Sequence, residues 1–368
     1  MNLTLAERIA RTIRQDVQAM HAYAVQPSAG LVKLDAMENP YRLPPALQRE
    51  LGERLARVAI NRYPTQCVAD VSAALARFVG LPAGCQLMLG NGSDELISLL
   101  AMACDLPGAA VLAPEPGFVM YAMAARLQGL RYVGVSLSAD FELDEAAMLA
   151  AIEQHRPAIT WLAYPNNPSA NLWDDAVIAR IVAAVGAQQG LVVIDEAYQP
   201  FASRTWLPRL AAPGHEHLLV MRTLSKFGLA GVRLGYLAGA AALVGQIDKV
   251  RPPYNVGALN AEATLFALDH ADEYARQATL LRAERERLQR ALRELPGVRP
   301  YPSEANMILV RVADAARTHA GLRERGVLVK NVSALHPLLA GCLRLTVGTP
   351  EENALMLAAL EASLQASL

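Results

Sequence analysis

A lysine, an aspartate, a tyrosine and an asparagine follow three apolar runs, and together they suit one kind of chemistry. Lys226 lies in Thr223-Leu224-Ser225-Lys226-Phe227-Gly228-Leu229-Ala230-Gly231-Val232-Arg233, behind the run Leu218-Leu219-Val220-Met221. Asp195-Glu196-Ala197-Tyr198 follows Leu191-Val192-Val193-Ile194. Tyr164-Pro165-Asn166-Asn167-Pro168 follows Ala158-Ile159-Thr160-Trp161-Leu162-Ala163. Short, continuous apolar runs mark strands buried on both faces. In open α/β sheets the C-terminal strand edge is where ligands sit. A lysine amine there can condense with an aldehyde cofactor. Pyridoxal phosphate needs that lysine and a carboxylate beside its ring nitrogen. The carboxylate keeps the pyridine protonated, so the ring accepts electrons from a substrate carbanion. An asparagine amide and a tyrosine hydroxyl can hydrogen-bond the ring's phenolic oxygen.

The elements that position these residues alternate. Leu87-Met88-Leu89, Ala110-Val111-Leu112-Ala113 and Tyr132 to Val135 read as strands, as do the three runs above and Leu234 to Ala238. Helices are expected over Ala69–Val79, Leu96–Ala103, Asp144–Gln154 and 176–187. Repeated βα units imply a mostly parallel sheet covered by helices on both faces. Gly90-Asn91-Gly92-Ser93-Asp94-Glu95 feeds a helix start, where unpaired amides and the helix dipole favour an anion. It is neither a dinucleotide fingerprint nor a P-loop. Beside Lys226, it is read as the place where the amides of Ser93 and Asp94 hold the cofactor's phosphate.

The flanks differ in texture. Residues 1–20 repeat apolar Leu5, Ile9, Ile13 and Val17 at helical spacing, which predicts a short amphipathic helix packed on the body. Residues 21–45 are rich in turn formers and read as an extended arm. Pro44 to Val58 is expected to be helical, and Arg62-Tyr63-Pro64 an exposed turn. After Asn255 a long charged helix is expected from Asp272 to Leu295, stopped by Pro296-Gly297. Strands Met307–Val312, Val327–Lys330 and Leu343–Val347 and helices near Ala315–Arg325 and from Pro350 make a smaller α/β domain. The division is thus an arm over 1–45, a large domain over 46–265 and a small domain over 266–368.

Composition narrows the class. The 368 residues carry a net charge of −1 with both signs interspersed, which argues against a nucleic-acid surface. Hydrophobic residues make up 53%, enough for a large core. No uncharged apolar run reaches the ~18 residues of a membrane span. Cys67, Cys85, Cys104 and Cys342 are scattered and read as reduced thiols of a cytoplasmic protein. His215-Glu216-His217 has metal-ligand spacing but no identifiable third ligand, so no metal is expected.

The set resembles the fold-type I, aspartate-aminotransferase-like enzymes that use pyridoxal phosphate. The match runs from about residue 20 to the C-terminus. It rests on the Lys226 segment together with Leu34-Asp35-Ala36-Met37-Glu38-Asn39-Pro40-Tyr41, Arg62-Tyr63-Pro64 and Cys342-Leu343-Arg344-Leu345-Thr346-Val347-Gly348-Thr349-Pro350-Glu351-Glu352-Asn353. Within that class it is most similar to members acting on a phosphorylated amino alcohol, L-histidinol phosphate, with 2-oxoglutarate and glutamate as the second couple. The resemblance implies an α/β fold with a mostly parallel seven-stranded sheet, and a homodimer. It implies that Lys226 carries the cofactor, Asp195 pairs with the ring nitrogen, and Asn167 and Tyr198 bond the phenolic oxygen. Thr223, Ser225 and Arg233 would join Ser93 and Asp94 at the phosphate, where a guanidinium makes two charge-assisted bonds. Tyr63 would reach the phosphate of the partner subunit. An aromatic ring stacks on the pyridine, and Phe118 fits that place, with Tyr121 as competitor. Tyr23, Asn39 and Arg344 would contact substrate, Arg344 at its anionic end. Lys330 stands where many members have a second arginine. Other readings of the same fold are an aromatic or broad-specificity aminotransferase and a threonine-phosphate decarboxylase. A cofactor-binding regulator without turnover is a reading from another class.

Overall fold

The computed structural model describes residues 3–20 and 26–365, in two units, Met1–Gly30 and Leu31–Leu368. In the first unit the expected single helix is two short ones, α1 (Leu5–Thr12) and α2 (Gln15–Gln18). Thr4 and Glu7 form a reciprocal capping box at the start of α1. Ile13 and Arg14 adopt extended backbone and break the periodicity. Leu5, Ile9, Ile13 and Val17 are exposed.

The body begins with β1 (Val32–Leu34), α3 (Pro45–Ala56) and α4 (Thr65–Val79). There follow β2 (Cys85–Gly90), α5 (Ser93–Ala103), β3 (Ala110–Glu115), α6 (Val119–Leu127), β4 (Arg131–Ser136) and α7 (Glu145–His155). Next come β5 (Ile159–Ala163), α8 (Asp175–Ala187), β6 (Leu191–Asp195), β7 (Leu218–Thr223), β8 (Gly235–Ala240) and α9 (Ala241–Ile247). The chain ends with α10 (Ala258–Asp269), α11 (Ala271–Glu294), β9 (Arg299–Pro300), β10 (Met307–Arg311), α12 (Ala315–Glu324), β11 (Val327–Asn331), β12 (Cys342–Thr346) and α13 (Pro350–Gln365).

Among the described residues the large sheet has seven strands in the order β2-β8-β7-β6-β5-β3-β4. β4, β3, β5, β6 and β7 run parallel, and β8 is antiparallel to both β7 and β2. The apolar runs are continuous because alternate residues serve opposite faces. Leu162, Ile194 and Val220 pack with Trp173, Ile178 and Ile181 on one side. Trp161, Val193 and Leu219 pack with Leu96, Ile97 and Tyr121 on the other. The mostly parallel α/β sheet expected from the sequence is present.

A second sheet has the order β1-β11-β12-β10-β9. β1 pairs in parallel with β11, so part of the stretch expected as an irregular arm is a strand of this sheet. The helices α9 and α10 were not expected. α5 begins three residues earlier than its apolar run, which puts Ser93 and Asp94 in its first turn.

Candidate active site

Three adjacent strands carry the chemistry to one edge. β5 ends just before Asn167, β6 ends at Asp195, and β7 ends at Thr223, three residues before Lys226. Ser93, Asp94, Phe118, Asn167, Asp195, Tyr198, Thr223, Ser225, Lys226 and Arg233 all line one cavity, together with Met37 and Tyr121. Asn39 and Arg344 do not belong to that lining, and Tyr23 lies outside the described residues.

Lys226 sits in an irregular turn after β7, and its Nζ donates to the Ala36 carbonyl at 2.9 Å. Burial, and then the nearby Arg344 charge, lower its ammonium from the usual 10.5 to about 8. Gly228 two residues on has φ +131°, and a Cβ there would lie 2.9 Å from the Tyr274 ring and 3.0 Å from Asn39 Nδ2. Only glycine fits this turn.

Asp195 is 4% exposed. Burial raises its carboxyl from 3.8 to about 6, against the pull of two donors. The Tyr121 hydroxyl donates to Oδ2 at 2.6 Å, and the Ala197 amide donates to Oδ1 at 3.0 Å. Tyr121 is stacked on Trp161, with ring centroids 4.6 Å apart, and is committed to the carboxylate. Phe118 is half-buried and meets Tyr121 edge-on at 5.6 Å. Phe118, the ring expected over the pyridine with Tyr121 as competitor, lines the same cavity.

Gly92 caps α5 with φ +82°, and a Cβ there would lie 2.7 Å from Arg233 Nη2. A bare backbone thus lets the guanidinium approach the helix start. Arg233 itself has φ +55°, a conformation that a non-glycine residue holds only when its surroundings impose it. Its Nη2 lies 3.5 Å from Asp94 Oδ2. Thr223 Oγ1 and Ser225 Oγ lie 3.0 Å apart. Helix amides, two hydroxyls and a guanidinium around one cavity end fit a phosphate. An amine of lowered pKa, a buried carboxylate and this phosphate cradle are the donor set that pyridoxal phosphate needs.

Arg344 lies in β12, opposite Lys330 of β11. Its Nη1 donates to Asn167 Oδ1 and its Nη2 to the Asp35 carbonyl, both at 2.8 Å. The arginine thus reaches the cofactor end through Asn167, whose NH2 remains as the donor side of the amide. Asn39 spends its amide on Gln277 Oε1 at 2.8 Å and its oxygen on the Tyr41 amide at 2.9 Å. Tyr63 is 74% exposed and stacks on Tyr254 at 4.3 Å. His215 and His217 each bond a backbone carbonyl, of Arg209 and Val182.

Sequence reasoning missed three contacts. The first is the bond between Tyr121 and Asp195, which are 74 residues apart. The second is the hold on residues 35–39: Thr346 Oγ1 accepts from the Met37 amide, and Asn306 Nδ2 donates to its carbonyl. The third is a buried ion pair, Arg222 with Glu196 at 2.8 Å, joined by Thr205, the Trp206 amide and Tyr236. A charge at the end of each of two apolar runs was the available signal for this pair.

The family profile "Aminotransferase class I and II" matches residues 29–360. A histidinol-phosphate aminotransferase of Methylibium petroleiphilum is 72% identical over 97% of this chain and 96% of its own length. One from Polaromonas naphthalenivorans is 65% identical over 98% of each. The crystal structure of histidinol-phosphate aminotransferase from Sinorhizobium meliloti, in complex with pyridoxal-5'-phosphate, superposes with a TM-score of 0.83. It is 24% identical and covers 97% of this chain and 99% of its own.

Proposed function

The chain belongs to the class I and II aminotransferases, and we propose that it transfers the amino group of L-histidinol phosphate to 2-oxoglutarate, with pyridoxal phosphate as cofactor, in histidine biosynthesis. The observation that carries the reaction type is Lys226, with its lowered pKa, in one cavity with Asp195 and the first turn of α5. The substrate rests on the relatives and on Arg344, a cation that an anionic substrate end can claim. When bound, pyridoxal phosphate supplies an aldehyde that takes up the amine and a ring that withdraws electrons from the neighbouring carbon.

The residues divide the remaining work. Ser93 and Asp94 amides, Thr223, Ser225 and Arg233 hold the phosphate. Asp195 keeps the ring nitrogen protonated, Asn167 and Tyr198 donate to the phenolic oxygen, and Phe118 covers the ring. Lys226 anchors the cofactor at rest. Its Nζ would take the proton from the substrate carbon that bears the amine and hold it as a general acid, a general acid–base role worth ~10²–10⁴-fold. A neutral amine is required for that step, and with an ammonium pKa of about 8 roughly a tenth of Lys226 is neutral at pH 7 and half at pH 8. Arg344 exchanges its bonds to Asn167 and Asp35 for the substrate's anionic end. Tyr23 and Asn39 are assigned to substrate, and Tyr63 to the phosphate of a partner subunit in a cytoplasmic homodimer. The arm, large domain and small domain of residues 1–45, 46–265 and 266–368 go with this reading.

Steady-state comparison of amino donors with 2-oxoglutarate as acceptor tests the substrate. The expected result is a kcat/KM for L-histidinol phosphate well above those for phenylalanine, tyrosine and aspartate. A preference for the aromatic amino acids would assign the protein to a broader aminotransferase. Release of carbon dioxide from threonine phosphate without transamination would assign it to a decarboxylase.

A further inference from the structure

We propose that Tyr121 is a positioning residue for the cofactor: its hydroxyl clamps the Asp195 carboxylate in the orientation and charge state that pair with the ring nitrogen. The inference rests on the cofactor reading above and adds a residue to it.

The geometry is that of a two-point clamp. The Tyr121 hydroxyl donates to Oδ2 at 2.6 Å and the Ala197 amide to Oδ1 at 3.0 Å. An ionised carboxylate offers about four lone-pair sites, so two donors fix its plane and leave sites for a ring N–H. Tyr121 cannot swing away from this bond. It is 2% exposed and lies flat on the Trp161 ring, with planes 7° apart. Trp161 is itself buried in β5. Phe118 closes the other approach edge-on.

The surrounding charges make the clamp necessary. The charged groups that act on Asp195 from neighbouring elements include Asp94 of α5 and Glu196 next in the chain, and both oppose its ionisation. Burial opposes it further. Tyr198, also close, is a phenol and brings no positive charge. Burial and then the Asp195 charge push the Tyr121 phenol well above its usual value, so it remains a donor.

The test uses purified cofactor-free protein and two ligands. One is pyridoxal 5′-phosphate. The other is its 1-deaza analogue, with a C–H where the ring nitrogen stands. Equilibrium binding is measured for the wild type and for Tyr121→Phe, which keeps the ring that stacks on Trp161. A hydrogen bond to a charged group is worth roughly 10- to 100-fold in affinity. The substitution should cost that much for pyridoxal phosphate and less than about threefold for the deaza analogue, because only the former engages Asp195. Equal loss for both ligands would make Tyr121 a structural residue and overturn the proposal. No loss for either would do the same. If Tyr121→Phe does not accumulate as folded protein, Tyr121→His, which keeps a ring and a donor, is read instead. It should retain a preference for the nitrogen-containing ring, and equal binding of both ligands would overturn the proposal. A wild type that binds neither ligand would overturn the cofactor reading itself, a result distinct from these.

Discussion

Lys226 and Asp195 are both displaced from their ordinary ionisation, and in each case burial is the first cause. The two displacements run in opposite chemical directions and both favour the neutral group. For Lys226 this means a usable amine near pH 8. The rate at which cofactor-free protein captures pyridoxal phosphate should rise about tenfold per pH unit below 8 and level off above it. A rise that continues toward 10.5 would contradict the burial argument, and Lys226→Ala should abolish both capture and turnover. For Asp195 the sign is the reverse of a typical surface carboxylate. Its folded value of about 6 exceeds the usual 3.8, so ionisation in the folded state costs stability. That cost is complete above pH 6 and fades as pH falls toward 3.8. Asp195→Asn should therefore stabilise the cofactor-free protein above pH 6, by up to about 3 kcal/mol in thermal or urea denaturation. The same variant should bind the cofactor more weakly. Loss of stability on this substitution would mean that the carboxylate is held by more than it costs.

At the scale of elements, β6 and β7 are tied together just where the site begins. Glu196 follows Asp195, Arg222 precedes Thr223, and the two form a buried ion pair. Removing one member leaves a charge in the core, which typically costs about 3–5 kcal/mol. Arg222→Met should lower the unfolding free energy from urea denaturation by that amount, and a Glu196→Leu change in the same chain should recover much of it. If the single variant were neutral, the pair would not be what sets the spacing of Asp195 and Lys226. This scale is also where the sequence was most readable. β5, β6 and β7 announced themselves because both faces of each strand are covered, which leaves no polar alternation. The candidate residues at their ends, Asn167, Asp195 and Lys226, were legible for the same reason, and they line one cavity. α10 was missed because Ala258–Asp269 carries no clear apolar stripe to set against its polar residues. β1 was missed because three residues among turn formers give no period. The contact of Lys226 with the Ala36 carbonyl was unreadable in principle, since any residue supplies a carbonyl. The bond from Tyr121 to Asp195 requires knowing that α6 brings Tyr121 to the end of β6, which side-chain types alone do not disclose.

For the whole molecule, the small sheet reaches the cavity without lining it. Thr346 and Asn306 hold Met37, and Arg344 bonds Asp35 and Asn167. These bonds tie residues 35–37 and Asn167 to the small sheet. Tyr63 is exposed, stacks on Tyr254 and does not line its own cavity. If Tyr63 serves a partner subunit, hybrids of Tyr63→Ala and Lys226→Ala chains should recover activity. Each hybrid dimer would contain one site with both residues intact. Failure of the hybrids to exceed the parent variants would place Tyr63 outside the partner's site.

Spectral titration of the cofactor-loaded protein with L-histidinol phosphate tests the proposed reaction most directly. The long-wavelength absorbance of the bound cofactor should fall on addition of L-histidinol phosphate and return with 2-oxoglutarate. An absorbance untouched by L-histidinol phosphate but abolished by phenylalanine or aspartate would leave the fold and Lys226 standing and contradict the proposed substrate.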